Sequence, residues 1–354
     1  MSKIKVLVVD DSALMRQLIT KILSSAPDIE VIGSASDPYK AREKILAQQP
    51  DVITLDVEMP RMDGLTFLSK LMHARPTPVV MVSSLTEKGC DTTLRALEFG
   101  AVDFVTKPKI DVTNGMANVG EEIIEKVRVA SRAKVTKIDI PAESVAQKVQ
   151  STSTDALITS THKVIAIGTS TGGTQALTQV LPKLPSNIPG IVVVIHMPPG
   201  FTGRFAKRLN DLCQIQVKEA QRGDMIIPGQ ALIAPGNFHM TVGRSGARYL
   251  VKLNESPPVN QFRPSVDVLF NSCAKYVGSN AIGVILTGMG YDGAEGMLAM
   301  KQAGAETIAQ DQNSSVVFGM PNEAIKRGGV DTVLPLNKVS SAIIDSAKKM
   351  TAAV

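Results

Sequence analysis

Along the first 110 residues, short apolar and β-branched runs alternate with amphipathic stretches. The runs fall at residues 6–9, 30–33, 52–55, 79–82 and 103–105, and segments between them, such as 15–24 and 39–48, place apolar residues at helical spacing. Strands alternating with helices predict a parallel sheet covered on both faces, a doubly wound (βα)5 unit. From about 121 to 161 the apolar runs fade and Lys, Ser, Thr and Glu dominate, the composition of a solvated linker entered through a last helix at 120–130. Strand signals return at 164–167, 191–195, 231–234, 282–286 and 307–309, with helical segments such as 174–181 and 294–303 among them, while 217–253 reads as hairpin-like. The expected organisation is therefore a first domain over 1–125, a linker over 126–160, and a second domain over 161–354. The second is a larger α/β doubly wound domain with an antiparallel hairpin portion.

Composition narrows the function classes. The chain has 354 residues, with 44% apolar and 20% charged, as expected for two globular domains with real cores. No apolar run approaches the roughly 18 residues of a membrane span, and the N-terminus lacks the apolar stretch of a secretory signal. A cytoplasmic protein without membrane insertion is expected. Cys90, Cys213 and Cys273 are scattered and lack metal-ligand spacing, so they read as reduced thiols. The net charge of +5 is not gathered into an arm, and no compact helix-turn-helix pattern appears, so a nucleic-acid-binding output finds no support.

In an open parallel sheet, ligands bind at the carboxyl ends of the strands. The first strand ends at Asp10-Asp11, the third at Asp56, the fourth at Ser83 and the fifth at Lys107. Like charges held close together call for a cation, and hard oxygen ligands suit Mg²⁺. Beside it, Asp56 is placed to act as a nucleophile towards a phosphoryl group, with Lys107 neutralising charge and the Ser83 hydroxyl donating to a phosphoryl oxygen. The plainer reading is helix capping, by Asp11 or Ser12 before Met15 and by Asp63 before Leu65. The joint pattern favours chemistry. Val8-Val9-Asp10-Asp11-Ser12, Leu55-Asp56-Val57-Glu58-Met59-Pro60 with Asp63-Gly64, and Lys107-Pro108 resemble a response-regulator receiver domain over about residues 3–125. That resemblance implies a histidine kinase as phosphodonor and Mg²⁺ bound by Asp10, Asp11, Asp56 and the Glu58 carbonyl. It also implies a switch pair at Ser83 and Phe104, where Tyr is common in place of Phe104.

In the second domain, Gly168-Thr169-Ser170-Thr171-Gly172-Gly173 follows a strand and opens a helix. This G-x-S-x-G context exposes a serine above a sheet, while a phosphate-binding glycine loop is the competing reading. A serine nucleophile needs a base. His73 and His162 lie in unremarkable contexts; His196 closes the strand 191–195 on the Ser170 rim and is preferred over its rival His239. Asp292, after the strand 282–286, is the orienting acid. Gly288, Gly290 and Gly293, with Asp311 beyond, also spell a dinucleotide-binding fingerprint, which keeps a nicotinamide enzyme open as an alternative.

Several motifs in order carry a second resemblance. They are the Ser170 segment, Ile195-His196-Met197-Pro198, Ala234-Pro235-Gly236 with His239, Arg263-Pro264-Ser265-Val266-Asp267, Leu286-Thr287-Gly288-Met289-Gly290 with Asp292-Gly293, Ala309-Gln310-Asp311, and Phe318-Gly319-Met320-Pro321. From residue 161 onward the chain resembles the catalytic domain of the chemotaxis receptor methylesterases. The resemblance implies attack by Ser170, with His196 as base and Asp292 orienting it, backbone at Thr171 or Met289 holding the oxyanion, and Arg263 and His239 forming part of the substrate cleft. It further implies hydrolysis of glutamate methyl esters with release of methanol, deamidation of receptor glutamines, and no cofactor for the hydrolysis. Methyl-accepting chemotaxis receptors are the expected substrates and a chemotaxis histidine kinase the phosphodonor, so the enzyme would be recruited to membrane receptor clusters. Control is expected through a receiver that covers the Ser170 rim until Asp56 is phosphorylated.

Overall fold

The short apolar runs of the first domain become strands almost residue for residue. The structure, a computed structural model, describes residues 2–59, 62–84, 86–107, 115–135 and 163–352. The chain divides into two units, 1–143 and 144–354. The first comprises β1 (Ile4–Val9), α1 (Ala13–Ser24), β2 (Ile29–Ala35), α2 (Pro38–Gln48), β3 (Val52–Asp56), α3 (Gly64–Ala74), β4 (Val79–Ser83), α4 (Glu87–Glu98), β5 (Asp103–Thr106) and α5 (Gly115–Ala130). The sheet is parallel throughout, in the order β2-β1-β3-β4-β5. Both faces of β3 and β4 are buried, which is why their runs are continuously apolar rather than alternating. In α1 the buried positions are Met15, Ile19 and Leu23, one stripe at four-residue spacing.

The capping alternative is resolved position by position. Ser12 caps α1, its hydroxyl accepting from Met15 N–H, and Asp63 caps α3 by accepting from Thr66 N–H. Asp10, Asp11 and Asp56 cap neither helix. The last helix expected at 120–130 is the end of α5, which runs on to Ala130, past the expected linker start at 126, with Ile123, Val127 and Ala130 buried. From residue 136 the expected linker, including Ser151-Thr152-Ser153-Thr154, lies outside the described residues, as does His162 beyond it. So do Pro60 and Pro108.

The second unit comprises β6 (Val164–Thr169), α6 (Gly173–Val180), β7 (Gly190–Ile195), α7 (Phe201–Leu212), β8 (Gln216–Glu219), β9 (Gln230–Ile233), β10 (His239–Ser245), β11 (Arg248–Asn254), α8 (Val266–Tyr276), β12 (Ala281–Ile285), α9 (Ala294–Gln302), β13 (Glu306–Gln310), α10 (Met320–Lys326), β14 (Thr332–Leu334) and α11 (Leu336–Ala352). Seven strands form a parallel sheet in the order β14-β13-β12-β6-β7-β9-β8. The hairpin-like reading of 217–253 holds only for β10 and β11, an antiparallel pair in its own sheet. By contrast β8 and β9 lie parallel, because the chain between them runs out to β11, where Met225 bridges Leu250, before returning. Buried side chains of β10 and β11 (Met240, Val242 and Val251) share a core with Leu269, Phe270 and Cys273 of α8 and with Val164 and Val192 of the sheet.

Three neighbouring strands, β7, β6 and β12, lie at the centre of this sheet. The chain leaves β6 towards β7 on one side and later returns to β12 on the other. Their carboxyl ends therefore border the crevice where such sheets bind ligands.

Candidate functional sites

At the carboxyl rim of the first sheet, Asp10 and Asp56 are almost fully buried. Lys107 Nζ lies 2.9 Å from Asp56 Oδ2 and 3.6 Å from Asp10 Oδ2. Ligand atoms of Asp10, Asp11 and Asp56 all fall within 4.8 Å of one another. Asp10 Oδ1 accepts from Ser12 N–H, but its buried Oδ2 has no hydrogen-bond partner among the described residues. Burial, with the Asp56 charge second, pushes the Asp10 carboxyl up to about 6. Burial also raises the pKa of Asp56, against the opposing charge of Lys107. For Lys107 burial works against its charge, but Asp56, Asp10 and Asp11 outweigh it and hold its pKa above the ordinary lysine value. The carboxylates carry more negative charge than one lysine can neutralise, so the donor set fits a hard divalent cation. The Glu58 side chain is exposed, and its N–H donates to Asp56 Oδ1 at 3.2 Å.

Ser83 is buried, and its hydroxyl faces α4. It donates to the carbonyls of Ser84 and Gly89 and accepts from Thr93 Oγ1 at 2.6 Å. Reaching a phosphoryl oxygen would break these contacts. Phe104 is buried beneath Lys126, whose Nζ lies 5.0 Å from the ring centroid.

In the second unit, Ser170 follows β6, His196 follows β7 and Asp292 follows β12 with a short loop between. Backbone bonds lock these ends together: Ser170 N–H donates to Thr287 O at 3.1 Å, and His196 N–H to Thr169 O at 3.3 Å. The turn after Ser170 demands glycine at Gly172, which has φ +80° and no room beside Val316. A Cβ at Gly288 would press on Ser170 Cβ and Met320 Sδ, so that residue must be glycine for the loop to lie against the serine. Thr287 ties the two segments further, its hydroxyl donating to Thr171 O at 3.0 Å.

His196 Nε2 lies 2.8 Å from Asp292 Oδ2. The opposite ring nitrogen, Nδ1, is buried and has no hydrogen-bond partner among the described residues. Asp292 is fully buried and receives five donors: His196, Asn260 Nδ2 at 2.8 Å, Ser265 Oγ at 2.7 Å, and the backbone N–H groups of Val266 at 2.6 Å and Asp267 at 3.3 Å. The last two belong to the first turn of α8, where the helix dipole also favours a carboxylate. Burial alone would raise the Asp292 pKa, but the bond from His196, followed by those from Asn260 and Ser265, lowers it. This acid stays ionised.

Other expected positions resolve differently. His239 is fully buried; its Nδ1 accepts from Ser265 N–H and its Nε2 lies 3.1 Å from Pro257 O, so it holds loops together. Arg263 gives its guanidinium to Asn237 Oδ1 and to the carbonyls of Glu255 and Ser256, which is likewise a loop-holding role. Thr171 is buried and Met289 half-buried, both beside Ser170 in sequence or space. The glycine loop 288–293 does not present an open phosphate cradle: Gly288 bonds Val317 O and bridges Phe318, and Asp311 accepts from Ser314 rather than standing free for a ribose. His73 lies exposed on α3, and Cys90, Cys213 and Cys273 are buried and outside any disulfide. Asn260 and Ser265, two donors to Asp292, went unassigned in the sequence. The run Arg263 to Asp267 marked their neighbourhood, but nothing local says which side chain faces an acid 27 or 32 residues away.

Comparison with known proteins agrees with this division. A family model described as "CheB methylesterase" matches residues 165–343, and one described as "Response regulator receiver domain" matches residues 6–116. The chain is 56% identical to the protein-glutamate methylesterase/protein-glutamine glutaminase 3 of Burkholderia lata, over 97% of this chain and 95% of the relative. It is 58% identical to the protein-glutamate methylesterase/protein-glutamine glutaminase of Salmonella typhi, over 97% of both. The crystal structure of the Thermotoga maritima CheB methylesterase catalytic domain, 43% identical, covers 52% of this chain and 97% of that one with a TM-score of 0.51.

Proposed function

Because the chain belongs to the CheB methylesterase family and carries a response-regulator receiver domain in front, we propose that Ser170 of its second domain hydrolyses glutamate methyl esters on chemoreceptors through an acyl-enzyme. One observation carries this reading: His196 offers one nitrogen to a saturated, ionised Asp292 and keeps the other, Nδ1, buried without a hydrogen-bond partner among the described residues, while its backbone N–H bonds Thr169, the residue before Ser170.

Ser170 Oγ attacks the ester carbonyl carbon as its proton passes to His196 Nδ1, forming a C–O bond and placing negative charge on the carbonyl oxygen. Backbone N–H groups at Thr171 or Met289, beside the start of α6, stabilise that charge. Collapse breaks the bond to the methoxy oxygen, which takes the proton from His196 and leaves as methanol. Water then adds to the acyl-enzyme, giving its proton to His196; the C–O bond to Ser170 breaks, Oγ is reprotonated, and a glutamate side chain is released. Asp292 holds the imidazole in orientation and stabilises its positive charge. A glutamine amide follows the same path with ammonia as leaving group.

In the receiver, Asp56 takes the phosphoryl group from a chemotaxis histidine kinase, Lys107 neutralises part of its charge, and Ser83 leaves Thr93 and Gly89 to donate to it. Asp10, Asp11, Asp56 and the Glu58 carbonyl would hold Mg²⁺, which neutralises charge during transfer; the unbonded Oδ2 of Asp10 supports that assignment. Phosphorylation raises hydrolysis by shifting a population between two states of the protein. The enzyme acts from the cytoplasm at receptor clusters. No described helix is long and apolar enough to cross a membrane.

The test is methanol release from methyl-labelled receptor membranes. Ser170→Ala is expected to lower it by about 10³-fold or more, and undiminished release would overturn the reading.

A further inference from the structure

We infer that the tight turn at residues 259–262 is a clamp that positions the His196–Asp292 pair, with Phe262 fixing the imidazole plane and Asn260 fixing the carboxylate. The inference rests on His196 being the base of the proposed hydrolase.

Val259 and Phe262 exchange both backbone hydrogen bonds, at 3.1 and 2.9 Å, across only two residues. Both of those residues, Asn260 (φ 52°) and Gln261 (φ 72°), adopt the left-handed conformation. A two-residue turn of that shape normally carries glycine, asparagine or aspartate, so Gln261 there is strained. Backbone strain of this kind persists where surrounding structure over-determines it, and functional sites are the usual place.

The turn delivers two side chains to one object. The Phe262 ring stacks on the His196 imidazole at 3.6 Å between centroids and 6° between planes. Asn260 Nδ2 donates both its protons, to Asp292 Oδ1 at 2.8 Å and to Asp267 Oδ2 at 2.7 Å. Asp267 is itself anchored by Gly296 N–H at 2.7 Å. A flat stacked face opposes rotation of the imidazole about its Cβ–Cγ bond, the motion that would carry Nε2 away from Asp292. A bridging amide opposes rotation of the carboxylate. Arg263 and His239 hold the loop itself, through Glu255 O, Ser256 O and Pro257 O. Phe262 and Asn260 are thus positioning residues.

The test uses the full-length chain in one phosphorylation state on methyl-labelled receptor membranes, comparing Phe262→Leu, Phe262→Tyr and Asn260→Ala with wild type and Ser170→Ala. Leucine keeps an apolar side chain but removes the flat face; tyrosine keeps the face. Phe262→Leu and Asn260→Ala are expected to lower kcat about 10- to 100-fold with KM within about threefold, the cost of a misaligned base. Phe262→Tyr is expected to stay within about threefold of wild type. In proton spectra the His196 ring C–H signals, shielded by the stacked ring, should move downfield in Phe262→Leu and remain in place in Phe262→Tyr. Equal kcat in the leucine and tyrosine variants would overturn the clamp, as would a rise in KM alone or a loss of thermal stability with unchanged kcat. If Ser170→Ala abolishes methanol release while Phe262→Leu matches wild type, only the clamp fails. Undiminished release by Ser170→Ala would defeat both readings.

Discussion

The two units bury carboxylates at the carboxyl ends of parallel strands and treat them in opposite ways. Asp292 is saturated by five donors, two of them backbone amides of a helix start, and its pKa is lowered. Asp10 and Asp56 share one lysine, Asp10 keeps an oxygen unbonded, and both pKa values are raised by burial. A group that must hold the same charge through every turnover benefits from preorganised donors that need not move. A group that must bind a cation and accept a phosphoryl group needs unmet demand, because only a site with something to gain binds the incoming ligand in preference to its resting state. The same residue type on the same kind of rim serves as a fixed orienter in one unit and an acceptor in the other.

The sharpest way to break this comparison is Asp292→Asn, which keeps the shape and removes the charge. Hydrolysis is expected to fall about 10³- to 10⁴-fold in kcat on receptor membranes; a loss under tenfold would mean that the saturated carboxylate is not what orients His196.

A smaller effect, of opposite sign, is expected at Asp10. Its folded pKa of about 6 lies above the unfolded value of 3.8, so the fold disfavours its ionised form. The destabilisation grows as pH rises from about 4 to 6 and is complete above that. Without magnesium, Asp10→Asn should therefore stabilise β1 and β3 against local opening by about 1–2 kcal/mol at pH 7.5, with the gain shrinking below pH 6. Amide hydrogen exchange reads this directly. A destabilising effect at pH 7.5 would show that the receiver carboxylates are satisfied after all.

The smallest change is Ser265→Ala, which removes one of the five donors to Asp292 and the hydroxyl that caps α8. A stability loss of about 1–2 kcal/mol is expected in denaturant titration. Hydrolysis should drop by only about three- to tenfold, since four donors remain. A loss as large as that of Asp292→Asn would mean that the donors act as one inseparable unit.

Much of this is legible in the sequence. Asp10, Asp56, Ser170 and His196 stand directly at the ends of apolar runs, and a run that ends marks the rim of a sheet whatever else the chain does. The exposed edge strand β14 is only three residues long, too short to show a period. The resemblance placed His239 and Arg263 in the substrate cleft; what the fold adds is that His239 is buried against Ser265 and Pro257 and that Arg263 bonds Asn237, Glu255 and Ser256.

The sequence by itself determined the two parallel sheets and the residue types at their rims, because strand period and strand ends are local properties. Only the tertiary structure decided which nitrogen of His196 meets Asp292, and that Asn260 and Phe262 come to the same place. Those contacts join segments tens of residues apart, and their geometry follows from how α8 and its preceding loop pack against β12 and β7. No local pattern encodes that packing.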